Sequence, residues 1–88
     1  MRITPDNSRV GTHRTGGLVG ISADEISETL GFRPNVSDDP SKVVNSWQFR
    51  IGRDVLAIWD YKGSHKYGSF STFGDAQTLQ KIFGSHYT

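Results

Sequence analysis

Along residues 21–32 the apolar positions recur at helical spacing, with Ile26 and Leu30 one turn apart and Asp24, Glu25 and Glu28 on the polar side. Ser22 and Glu25 form a capping box, in which the hydroxyl accepts from the third amide and the glutamate reaches back to the cap amide. Ile21 can staple to Ile26, and the early acids suit the positive end of the helix dipole. Gly31 supplies a left-handed C-terminal residue, Phe32 closes over the last turn, and Arg33-Pro34 ends the helix.

After a polar loop over residues 33–42 the period changes to two. Val43, Asn45, Trp47, Phe49 and Ile51 share one face, and Val44, Ser46, Gln48 and Arg50 share the other, which predicts a half-buried strand. Gly52-Arg53 is a two-residue turn with glycine first, as a type II′ hairpin requires. The return strand over residues 54–62 is apolar on both faces in its first half and belongs in the middle of a sheet. Residues 63–66 make a second turn and residues 67–72 a third strand with Phe70 inward. A second helix follows, capped by Thr72 or Gly74, with Asp75 in its first turn. Its apolar stripe is Ala76, Leu79, Ile82 and Phe83, and Gly84 stops it.

The order (β)αβββα predicts an α+β fold: an antiparallel meander of three or four strands packed against two short helices on one face. The 88 residues form a single small domain, with residues 1–17 as a flexible arm or loop, rich in turn formers, and residues 85–88 as a tail. Two Trp, three Tyr and five Phe make one core feasible in so short a chain.

Composition narrows the function classes. With no cysteine, neither disulfides nor thiolate metal sites are possible. No apolar run is long enough to span a bilayer, and residues 1–6 lack the apolar stretch of a signal peptide, so no membrane role and a cytoplasmic location are expected. A net charge of +1 argues against a strongly electrostatic nucleic-acid binder. Its distribution is uneven. Asp24, Glu25, Glu28, Asp38 and Asp39 stand in the first half, whereas Arg50, Arg53, Lys62 and Lys66 stand in the second.

No constellation has the spacing of a catalytic or metal site. His13, His65 and His86 fall in a loop, a turn and the tail, where solvated side chains are the simpler reading. Asp60, Ser64 and His65 have the residue types of a hydrolytic triad but no nucleophile elbow around the serine. Asp38-Asp39 lacks the alternating acids of a calcium loop. The glycines 16, 17 and 20 lack the lysine ending of a phosphate loop and read as a hinge. No cofactor and no enzymatic activity are expected.

The meander carries the remaining signal. Trp47, Phe49, Trp59, Tyr61, Tyr67, Phe70 and Phe73 exceed what two short helices can cover, and basic side chains are interspersed. Such a mixture fits a protein-binding hot spot or a sheet that stacks single-stranded bases, while alternate aromatics in a core with cross-strand pairs explain much of it. The candidate partner-binding residues are Arg50, Arg53, Trp59, Tyr61, Lys62, His65, Lys66 and Tyr67.

Leu18, Gly20, Ile21, Glu25-Ile26, Phe32-x-Pro34-Asn35, Lys42-Val43, Ser46-Trp47-x-Phe49, the block Ile58-Trp59-Asp60-Tyr61-Lys62 and a closing Phe-Gly together resemble small uncharacterised proteins encoded by bacteriophages. The resemblance spans residues 17–84 and carries no functional residue with it. It implies an accessory protein, in the host cytoplasm, that binds and inhibits or redirects a host protein or protein complex, for example in defence or nucleic-acid processing. Single-stranded nucleic-acid binding through the sheet and small-ligand binding or hydrolysis are the alternatives. An uncovered apolar face would favour a homodimer.

Overall fold

The computed structural model describes residues 2–8, 13–37 and 41–88. The elements in chain order are β1 (Thr4–Pro5), β2 (Gly16–Leu18), α1 (Ala23–Leu30), β3 (Ser46–Ile51), β4 (Asp54–Trp59), a 3₁₀ turn (Ser64–Tyr67), β5 (Phe70–Phe73), α2 (Ala76–Phe83) and a second 3₁₀ turn (Gly84–His86). The strands form one antiparallel sheet in the order β1-β3-β4-β5-β2, so the α+β class holds and β4 is central.

The capping signals of α1 are realised at both ends. Ser22 accepts from the Glu25 amide, the Glu25 carboxylate accepts from the Ser22 amide, and Gly31 adopts a left-handed φ of 89°. In the β3–β4 hairpin Gly52 has a φ of 60° and Arg53 stays in the negative region, the combination of a type II′ turn. The cap of α2 is Asp75, not Thr72 or Gly74. Its carboxylate accepts from the Thr78 amide at 2.9 Å and the Thr78 hydroxyl at 2.8 Å, an acceptor glycine lacks, while Thr72 lies buried in β5.

Trp47 and Phe49 from β3, Leu56 and Ile58 from β4, Phe70 from β5 and Leu18 from β2 share one sheet face, and α1 and α2 cover it with Ile26, Leu30, Leu79 and Phe83. An edge-to-face pair of Trp47 and Phe70, 5.9 Å between centroids, fills its centre. The Trp47 indole N–H donates to the Ser27 hydroxyl at 3.2 Å, so the largest core side chain leaves no orphan donor.

Among the described residues the sheet has five strands, because β1 and all of β2 except Leu18 come from residues expected to form an arm. Pairings of two and three residues carry no alternating pattern to reveal them. Gly16 and Gly17 serve close approach instead of flexibility: a Cβ on Gly17 would stand 2.9 Å from the Arg14 guanidinium and 3.1 Å from the Phe70 carbonyl oxygen. The expected tail also pairs, with Gly17 and Thr88 exchanging backbone bonds of 3.1 and 2.9 Å and Val19 N–H donating to His86 O at 2.9 Å. Two boundaries shift. β3 begins at Ser46, leaving Val43 and Val44 in the preceding loop, and the 3₁₀ turn delays β5 to Phe70.

β1 and β2 occupy opposite edges, and the described residues Asp6, Ser8 and His13 between them lie against the helix-free face. Asp6 and Ser8 meet Gln48, and His13 packs edge-on against Phe73 at 5.4 Å. Gln48 and Ala57 are buried on this face too.

Candidate functional site

The last residue pair of the β3–β4 ladder is Ser46 with Trp59. Beyond it a side chain continues the pairing. Asp60 is fully buried, and its carboxylate accepts from the Val44 amide at 2.7 Å and from the Asn45 amide and side-chain nitrogen at 2.9 Å each. Its own amide donates to Asn45 O at 3.1 Å. A buried carboxylate is tolerated when N–H donors surround it, and here they come from the loop before β3. Two residues on, the Lys62 amide donates to Lys42 O at 2.6 Å. The two loops are thereby fastened together.

Lys62 has a φ of 51°, the one non-glycine residue with positive φ among those described. The left-handed conformation costs an ordinary residue about 1–2 kcal/mol. Gly63, also left-handed, leads into the 3₁₀ turn, where the Tyr61 amide donates to the Ser64 hydroxyl at 3.0 Å and the Ser64 amide returns to Tyr61 O at 3.1 Å.

These constraints build an open concavity of about 540 Å³ lined by Ser41, Lys42, Val44, Lys62, Gly63, His65 and Lys66. Tyr61, 46 % exposed, and Tyr67, 87 % exposed, flank the lining residues in sequence, and the Lys62 ammonium lies 5.3 Å from the centroid of the Tyr61 ring. Val44, at 66 % exposure, adds an apolar surface. Among the described residues no carboxylate lines this concavity, and none is ion-paired with Lys42, Lys62 or Lys66.

His65 is a correction to its reading as a solvated turn residue. It is half-buried, with Nδ1 3.2 Å from Asp60 Oδ2. The contact is close, yet off the line a hydrogen bond needs, so Nδ1 is buried without a hydrogen-bond partner. Asp60 and His65 do meet as two members of a triad would. Ser64 does not join them, since its hydroxyl is engaged by the Tyr61 amide. Among the described residues no cluster of three or more His, Asp or Glu side chains could hold a metal ion.

The eight candidate partner-binding residues divide. Tyr61, Lys62, His65, Lys66 and Tyr67 come together at the Asp60 end. Arg53 sits at the hairpin turn, about 20 Å away along six residues of strand. Arg50 lies on the helix-free face, 3.3 Å from Asp6 Oδ2, and Trp59 is half-buried on the same face. Trp47, Phe49 and Phe70 lie in the core, so they offer no stacking surface. Lys42, Val44 and Asn45 were missed by sequence reasoning. The available signal was Asp60 itself, a charged residue closing a strand apolar on both faces. Asp38-Asp39 and Arg9 lie outside the described residues, and no described helix is long and apolar enough to cross a membrane.

A second concavity, lined by Asp24, Ser27, Glu28, Gly31, Phe32 and Arg33, lies on α1 and carries acidic side chains, so the uneven charge of the sequence persists in space. The chain matches no protein-family model, and no similar curated protein or solved structure was found.

Proposed function

We propose that this protein is a non-enzymatic interaction protein that docks on a host macromolecule through its Asp60 end and modulates it, with inhibition as the expected effect. One observation carries the reading: two exposed tyrosines, Tyr61 and Tyr67, stand beside Lys62 and Lys66 on a surface fixed from below by a buried carboxylate. Tyrosine is among the side chains in which binding hot spots are enriched, and a rigid base lowers the cost of ordering it on docking. The resemblance of Trp47-x-Phe49 and Ile58-Trp59-Asp60-Tyr61-Lys62 to small phage proteins supports a host defence or nucleic-acid-processing complex in the cytoplasm as the target.

The test is recovery of a stoichiometric partner from bacterial lysate treated with nuclease, using wild type and the Tyr61→Ala/Tyr67→Ala double variant. Loss of at least about tenfold in capture is expected in a variant with unchanged thermal stability. Equal capture by both proteins overturns this surface. Single-stranded nucleic acid is the second reading, favoured by tyrosines set among lysines. It calls for an affinity that falls steeply with salt; a flat response excludes it.

A further inference from the structure

We propose that the concavity at the Asp60 end is a binding site for a small oligophosphate anion, a diphosphate or triphosphate, either free or carried by a nucleoside. The inference goes beyond the docking reading and needs no macromolecular partner. Lys42, Lys62 and Lys66 line one concavity with His65; Asp60 faces His65 from below, and no described carboxylate is paired with any of the three lysines. Like charges gathered this way repel, and nothing in the packing of the core requires it.

The backbone beneath adds to the imbalance. Lys62 is held left-handed, and its amide bond to Lys42 O at 2.6 Å brings the two lysine-bearing loops side by side. Strain of this kind persists where the surroundings over-determine it, and it gathers at ligand sites. The Asp60 carboxylate is committed to Val44 and Asn45, which stiffens the floor without placing a negative charge in the opening. His65 turns its buried Nδ1 toward Asp60, which leaves Nε2 as the ring nitrogen able to meet a ligand.

Size and charge then select the ligand. A volume of about 540 Å³ falls in the ordinary range for small-molecule sites. Lysines bind phosphoryl oxygens as point charges from several directions, and three of them suit a ligand with several such oxygens better than a lone monoanion. Tyr61 and Tyr67 are exposed and flank the lining residues in sequence, which offers aromatic surface to a base when the phosphates belong to a nucleotide.

The experiment titrates the full chain with pyrophosphate and, separately, with ATP, by calorimetry and by amide chemical shifts. Saturable one-to-one binding is expected, with shifts at Lys42, Val44 and residues 62–66. Lys62→Asn removes the charge but tolerates the left-handed conformation, and it is expected to weaken pyrophosphate binding at least about tenfold, as is Lys42→Gln/Lys66→Gln. Arg53→Gln removes the same charge at the far end of the hairpin and is expected to change affinity less than about twofold. Non-saturable binding, shifts centred elsewhere, or equal weakening by Arg53→Gln overturns the site. The wild-type shift map decides the matter even where a lysine variant fails to fold. ATP binding tighter than pyrophosphate, with movement of the Tyr61 and Tyr67 ring signals, assigns a nucleotide; equal affinities assign the free oligophosphate. Pyrophosphate binding is read on the pure chain and partner capture in lysate, so failure of the docking reading and failure of this one are told apart.

Discussion

The two ends of the β3–β4 pair solve the same problem in opposite ways. At one end Gly52 and Arg53 close the ladder within two residues, with glycine where φ is positive and register Ile51 to Asp54 intact. At the other end no tight turn is available, because the two chains diverge into separate loops. There a buried carboxylate takes over the pairing, and a lysine occupies a backbone position that favours glycine. The first end is locally consistent and carries little chemistry. The second gives up stability in several places at once and gathers the exposed tyrosines and lysines. Local rules broken together, inside an otherwise consistent fold, mark where a sequence serves something besides folding.

Removing the carboxylate is the most severe way to break this contrast. Asp60→Ala leaves the Val44 and Asn45 amides and the Asn45 side chain without their acceptor in a part-buried setting and is expected to cost about 2–4 kcal/mol. Arg53→Ala at the opposite end is expected to stay within about 0.5 kcal/mol of wild type. Urea midpoints at constant m measure both. Since domains this small have only about 5–15 kcal/mol in hand, Asp60→Asn serves as the milder companion, keeping one acceptor oxygen. An Asp60→Ala midpoint equal to that of Arg53→Ala shows that backbone and water hold the loops, and the two ends are then alike.

A subtler pair of changes works on the backbone alone. Gly52→Ala meets no atom within 4 Å, so its expected loss of about 1 kcal/mol is purely conformational. Lys62→Gly is the mirror experiment, releasing the left-handed penalty while loosening the unfolded chain, and is expected to raise stability by up to about 1 kcal/mol. Opposite signs at the two ends, read by thermal unfolding, sharpen the contrast. A loss in both variants means that the Lys62 side chain, through Tyr61, stabilises more than its backbone conformation costs.

The same division explains how much was legible in the sequence. α1 is written in adjacent residues: Ser22 caps, Glu25 completes the box, Ile26 and Leu30 point inward and Gly31 terminates. The centrality of β4 follows from apolar residues on both its faces, and the II′ turn from Gly52. What stayed hidden depends on contacts distant in sequence. Thr4 and Pro5 pair with Arg50 and Phe49, Gly16 with Thr72 and Gly17 with Ser71, over separations that no local pattern encodes. Five of the eight candidate residues cluster as an aromatic and basic surface, but the sheet face expected to carry it is not where it lies. Asp60 bonds Val44 and Asn45 across the hairpin, and that bond with Lys42's own to Lys62 brings Lys42 to the site. Nothing in the polar loop over residues 33–42 announces it.

Asp6 offers the smallest and most specific test, because it does at the surface what Asp60 does in the interior. It fastens a passing segment to β3, accepting from the Ser8 hydroxyl at 2.8 Å, the Gln48 side-chain nitrogen at 3.1 Å and Arg50 at 3.3 Å. The Ser8 hydroxyl bond, helped by Gln48, the Ser8 amide and the Arg50 charge, outweighs partial desolvation and holds the Asp6 carboxyl below its ordinary value. A carboxyl lowered by folding stabilises above its unfolded pKa, and that contribution disappears as pH falls through the lowered folded value. Asp6→Asn is therefore expected to lie slightly below wild type in stability at pH 7, with the gap closing below about pH 4. Asp75, also lowered, first by the Thr78 hydroxyl, titrates in the same window, so the comparison is made against Asp75→Asn and not against wild type alone. A gap that stays constant with pH means that Asp6 works through shape and amide bonding, which asparagine reproduces in part, and the likeness between the exposed and the buried carboxylate fails.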